Sequence, residues 1–152
     1  MADRVAVSIV LGGMLSEAEY MKLAEIIDRE GLSVEWDGPP FEPTYGADGE
    51  PLRLYANEVA WGELRELEAW CVSHQVAFAK WCDGCGSQWG PQRMVFTGEG
   101  EPRFFAASGD DDVMINEETV KKLGSIAQIR AYFEAANFSV PALCIEGARQ
   151  VT

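Results

Sequence analysis

The residues best equipped for chemistry lie in Cys82-Asp83-Gly84-Cys85-Gly86. A Cys-x-x-Cys turn followed by glycine aims two sulfurs at one point and leaves backbone N–H groups free to bond them, which is half of a structural zinc site. Cys71-x-x-His74 lies just upstream, so Cys71, His74, Cys82 and Cys85 form a candidate four-ligand set. Against it stands the apolar stretch between the halves, which reads as a strand. Residues 75 to 81, fully extended, span roughly 23 Å and would hold the two halves apart. Thiol redox chemistry is the other use of such a pair, and it wants the first cysteine at a helix N-terminus. Here Gly84, Gly86 and Pro91 surround the pair and no helix follows. Cys71 and Cys144 read as small buried hydrophobes. His74 reads as a polar residue at a helix C-terminus, where positive charge suits the dipole. The expectation is a chain without a cofactor, with a zinc-supported or thiol-redox domain as the alternative.

A second constellation is acidic. Asp110, Asp111 and Asp112 run together, and Glu117 and Glu118 follow. An EF-hand loop counted from Asp110 would need glycine at its sixth position, where Ile115 stands, so that motif is excluded. The bland reading is a solvated loop; the functional ones are an irregular cation site or a negative docking surface standing in for phosphates. Trp81 and Trp89 bracket the cysteine turn. They either cover a small satellite core or, exposed beside acidic loops, make an aromatic anchor of the kind that dominates protein interfaces. Stacking on nucleic acid would need a basic groove beneath the rings, and this region offers only Arg65, Lys80 and Arg93.

Other reaction classes find little support. The phosphate loop GxxxxGK[ST] and the pattern GxGxxG are both missing, and no serine stands in an elbow motif. An enzyme cleft would have to lie over an open sheet face, with Arg53 or Tyr55 in it.

The totals agree with a binding role. The chain has 152 residues, 47% of them apolar, which suits one domain, 1–152, with a substantial core. Twenty-five acids against twelve bases give a net charge of −13. Such a charge repels nucleic acid and anionic membranes at long range and attracts cationic protein surfaces; the bland alternative is that it only keeps the protein soluble. No stretch is long and apolar enough for a membrane span. The opening residues read as a strand rather than a signal peptide, and four sparse cysteines favour a reducing, cytoplasmic setting.

The elements that must position these residues follow from periodicity and caps. Val5 to Leu11 is apolar on both faces and reads as a central strand ended by Gly12 and Gly13. Ser16 and Glu19 form a capping box for a helix that runs to Glu30 and stops at Gly31. Leu32 to Trp36 alternates, with Leu32, Val34 and Trp36 facing the core and Ser33, Glu35 and Asp37 facing water, and ends at Gly38-Pro39-Pro40. A long loop follows, and its Phe41 and Tyr45 either pin it to the surface or stand exposed for a partner. Leu52 to Asn57 is a strand, a helix carries Leu64, Leu67, Trp70, Cys71 and His74, and Val76 to Trp81 is a short apolar strand. Strand–helix–strand–strand–helix–strand is the ferredoxin-like (split βαβ) plan, an α+β fold with an antiparallel sheet and helices on one face. Arg93 to Thr97 and Arg103 to Ala107 add a β-hairpin through the turn GEGEP. A C-terminal helical segment follows: Glu117 to Leu123 capped by Asn116, then a helix capped by Ser125 with an apolar stripe of Ile126, Ile129, Tyr132 and Phe133. Phe138 to Ile145 adds a short edge strand.

The expected function is a non-enzymatic acidic protein-binding domain whose partner is a basic protein surface. Its concrete form is an inhibitor or adaptor that masks a nucleic-acid-binding surface by mimicking DNA phosphates. Its contacts would be Asp110, Asp111, Asp112, Glu117, Glu118, Trp81 and Trp89.

Overall fold

The computed structural model describes residues 4–43, 49–84 and 89–146. They form a mixed α+β domain with an open antiparallel sheet and, among the described residues, four helices. Its central strand is β1 (Arg4–Ser16). Val5, Val7, Ile9 and Leu11 are buried on one face, while Ala6, Ser8 and Val10 on the other are half-buried. Such two-sided cover is what a strand with neighbours on both edges needs.

Helix α1 (Glu17–Arg29) begins at the expected capping box. Ser16 Oγ accepts from the Glu19 N–H at 3.1 Å, and the Glu19 carboxylate accepts from the Ser16 N–H at 2.9 Å. Tyr20, Leu23, Ala24, Ile26 and Ile27 make its buried stripe. Each large aliphatic side chain buried there contributes about 1.5–3 kcal/mol relative to exposure. Gly31, at φ 74°, closes the helix by leaving the Leu32 N–H to reach Ile27 O.

Strands β2 (Leu52–Ala60), β3 (Ala77–Cys82), β4 (Gln92–Phe96) and β5 (Arg103–Ala106) complete the antiparallel sheet in the order β2-β1-β3-β4-β5. The expected hairpin is β4–β5, on the edge of the sheet. Helix α2 (Arg65–Ser73) joins β2 to β3 and buries Leu67 and Cys71 against the same core as α1. Helices α3 (Glu117–Leu123) and α4 (Ile126–Ala136) are capped by Asn116 and Ser125 as their sequences require. Helix α4 lies on the other side of the sheet, where Ala136 and Tyr132 pack with Val95 and Phe105 in a second, smaller core.

Three expectations are corrected. Leu32 to Trp36 makes no strand, only a single bridge between Ser33 and Tyr55. The segment turns at once: Asp37 takes φ 57°, the Gly38 N–H reaches Glu35 O, and the two prolines beyond offer no donors. Ser33, expected in water, is buried with its hydroxyl on Pro39 O, and Trp36, expected in the core, is exposed and leans on Tyr55. The glycine pair does not end β1. A Cβ on Gly12 would overlap Pro141 O, and this close approach lets β6 (Leu143–Glu146) pair in parallel with Gly13–Ser16. Helix α4 buries none of its apolar stripe fully: Ile129, Tyr132 and Phe133 are half-buried and Ile126 is 72% exposed. Of the loop anchors, Phe41 is buried and Tyr45 lies outside the described residues.

Candidate functional site

The turn between β2 and α2 carries two consecutive residues in left-handed backbone. They are Trp61 and Gly62, at φ 58° and 66°, and the Glu63 N–H closes the turn on Ala60 O at 3.2 Å. Consecutive positive φ values suit glycine at both positions. Tryptophan in such a position costs on the order of 1 kcal/mol and persists only where its surroundings hold it.

The surroundings here are specific. Lys80 Nζ reaches inward from β3 and donates to Gly62 O at 2.8 Å and to Glu68 Oε2 at 2.6 Å. The same Glu68 oxygen accepts the Leu64 N–H at 2.8 Å, at the head of α2. Behind Gly62 stand Cys82 and Val5, which leave no room for a Cβ. A buried ion pair thus ties strand, turn and helix together, and Trp61 is turned outward.

Trp61 is 45% exposed, and its ring lies 5.7 Å from that of Trp89. The Trp89 indole donates to Asp83 O at 3.3 Å, which fixes the second ring. Phe104, 61% exposed on β5, shares with Trp61 the wall of a cavity of about 160 Å³ over Lys80, Cys82 and Met94. Glu63 and Arg65 rim the ring pair. Rigid aromatic rings with a charged border have the composition of an interface hot spot.

No family model matches the chain, and neither the curated proteins nor the solved structures provide a match.

The residues singled out from sequence are dispersed. Trp89 belongs to the aromatic site. Trp81 does not: it is buried on the opposite face of the sheet, and its indole donates to Ser108 O at 3.0 Å, so it holds a loop instead of meeting a partner. Asp111 is committed internally, its Oδ1 taking the Arg93 guanidinium at 2.8 Å. Glu117 and Glu118 pair with Lys121 and Lys122 one helical turn on. Asp110 and Asp112 remain exposed on a loop stapled by Ser108 Oγ, which accepts both their N–H groups.

The proposed metal ligands do not converge among the described residues, where no group of three or more His, Cys, Asp or Glu side chains could hold a metal ion. Cys71 is sealed in the core on α2, and burial, with Glu68 nearby, pushes its thiol pKa well up. Cys82 is buried on β3 and its thiol is likewise raised by burial. Raised thiols are poor nucleophiles and poor ligands. His74 caps α2 from outside, with Nδ1 2.9 Å from Trp70 O and its ring stacked 4.0 Å from the indole. Cys85 lies outside the described residues.

Trp61, Phe104 and the Lys80–Glu68 pair escaped the sequence reading. A signal existed for the first two. Trp61-Gly62 is a turn dipeptide between a strand and a helix, and adjacent phenylalanines on one strand must point to opposite faces.

Proposed function

We propose that the protein is a non-enzymatic binding protein that engages a basic protein surface, with Trp61, Trp89 and Phe104 as its anchor. The single observation that carries this reading is Trp61, a large ring held half-exposed in strained backbone by a buried ion pair. Strain of this kind, kept at a surface, is typical of sites selected for contact. The net charge of −13 supplies the second support, since long-range attraction favours a cationic partner.

The finer form, in which carboxylates imitate phosphates and mask a nucleic-acid-binding surface, rests on that charge. Asp110 and Asp112 are its best contacts, because Asp111, Glu117 and Glu118 already hold cations. We also read the fold as ferredoxin-like. Support comes from the order β3-β1-β2 and from the Ser33 bridge beyond β2, which together follow the split βαβ plan with its second strand reduced to one pair.

The test is a binding titration against purified arginine-rich DNA-binding domains, read by tryptophan fluorescence and repeated with duplex DNA as competitor. Wild-type protein is expected to bind, more weakly at high salt, and to be displaced by DNA. Trp61→Ala is expected to lose about thirtyfold or more, the size of an aromatic hot spot. Salt-independent binding, or full binding by Trp61→Ala, would remove the basis of the reading. Binding that DNA fails to displace would remove only the phosphate-mimic form.

A further inference from the structure

We propose that the opposite, open face of the sheet carries a binding site for a small organic carboxylate with a compact apolar body. A cavity of about 270 Å³ lies there. Its floor is a cross-strand row in which Arg53, Val10 and Ala79 stand side by side on β2, β1 and β3. Phe138, Ser139 and Val140, leading from α4 to β6, form one wall, and Pro51 another. Val10 and Ala79 are apolar residues of the sheet's interior strands, yet both stay only half-buried because the cavity stands over them. The volume falls just under the range of about 300–1,000 Å³ for drug-sized ligands, so the occupant is small.

Charge selects its chemistry. The lining carries Arg53, Arg93 and Asp111, two cations against one anion, in a protein whose overall charge is strongly negative. Arg93 is spent on the protein itself: Nε and Nη2 hold Asp111, and Nη1 donates to Ala136 O and Asn137 Oδ1. Asp111 is therefore neutralised and repels little. Arg53, an exposed residue at the cavity's border, has no hydrogen-bond or ion-pair partner among the described residues, so its planar fork of donors is available to a ligand there. A guanidinium matches a carboxylate in a two-pronged geometry. The apolar body would lie on Val10 and Ala79, against Phe138 and Val140. This site is on the face away from Trp61 and does not depend on the protein-binding reading.

The experiment is an amide NMR titration of the whole protein with three probes: benzoate, inorganic phosphate and benzylamine. Benzoate is expected to shift the amides of Val10, Arg53, Ala79 and Val140, with phosphate weaker and benzylamine without effect. Arg53→Ala should weaken benzoate about tenfold or more, as expected for loss of a charged hydrogen bond, and Arg53→Lys should recover part of it. Ser139→Trp, which narrows the mouth and leaves Arg53 in place, should also abolish the shifts, so the test survives a poorly folded Arg53 variant. Shifts that avoid this face, benzylamine or phosphate binding as tightly as benzoate, or undiminished binding by Arg53→Ala would each overturn the proposal.

Discussion

Lys80 Nζ lies 2.6 Å from Glu68 Oε2, and both side chains are almost withdrawn from solvent, at 6% and 15% exposure. Removing one member of such a pair strands the other charge, at a cost of about 3–5 kcal/mol. Glu68→Ala should therefore lower the urea midpoint sharply. Replacing both at once, Glu68→Leu with Lys80→Met, should recover most of the loss. The double variant still lacks the bond from Lys80 to Gly62 O, so Trp61 emission should shift to the red even where stability returns.

Glu30 presents the reverse situation. Its Oε2 is buried without a hydrogen-bond partner, and burial raises its pKa, helped by Glu66 and Glu68 nearby, while a backbone hydrogen bond from Leu67 lowers it. A carboxyl raised on folding is protonated more readily in the native than in the unfolded chain, so stability falls as pH rises from the unfolded pKa through the folded one. Glu30→Gln has no such penalty. Its melting temperature should exceed that of the wild type at pH 7, and the gap should shrink as pH drops below the carboxylate range. A gap that widened in acid would contradict this assignment.

The three aspartates of the 110–112 run should behave unequally. Asp111→Ala loses the Arg93 pair and places a Cβ residue without a side-chain anchor at φ 61°. Loss of a charged hydrogen bond of this type costs about 1.5–3 kcal/mol, less where solvent reaches it as here. Asp110→Asn and Asp112→Asn should stay within about 0.5 kcal/mol of the wild type, as exposed substitutions do. In the binding titration the order inverts: the two exposed positions should weaken association with a cationic partner while leaving the unfolding curve unchanged.

Gly12→Ala should detach the C-terminal strand. The new methyl would meet Pro141 O, a backbone atom that yields only if the chain from 140 onward moves. Overpacking of this kind costs about 1–3 kcal/mol. Hydrogen exchange at Leu143 to Glu146 should accelerate well beyond any change in β3. Equal acceleration in both strands would mean that β6 is not a separable layer.

What could be read from the sequence was local. The Ser16–Glu19 box, the Asn116 and Ser125 caps, the alternation along β1 and the glycine-rich hairpin turn all encode their geometry within a few residues, and each is present. Where a distant segment decides, the reading departed. Gly12 and Gly13 looked like a stop because the strand that passes over them lies far along the chain. Leu32 to Trp36 alternates like a strand, yet its partner edge offers only Tyr55 before the Asp37 turn carries it away. The candidate site divided in the same manner. Cysteine and histidine spacing was visible, but burial of Cys71 and the stacking of His74 on Trp70 depend on packing that spacing does not contain. Lys80 gave no sign of being buried, since its partner Glu68 sits on another element, twelve residues earlier.

The parallel seam between β1 and β6 bears on how the chain comes to be made. The first of the described strands is a thirteen-residue segment whose last third finds its strand partner, among the described residues, only in the last of them. During synthesis that stretch must wait, unpaired, until Leu143–Glu146 has left the ribosome. Pairings so remote along the chain form late and slowly, and the exposed strand is meanwhile open to the wrong neighbour. A nascent chain that stalls before Leu143 would therefore invite chaperone capture at Gly13–Ser16.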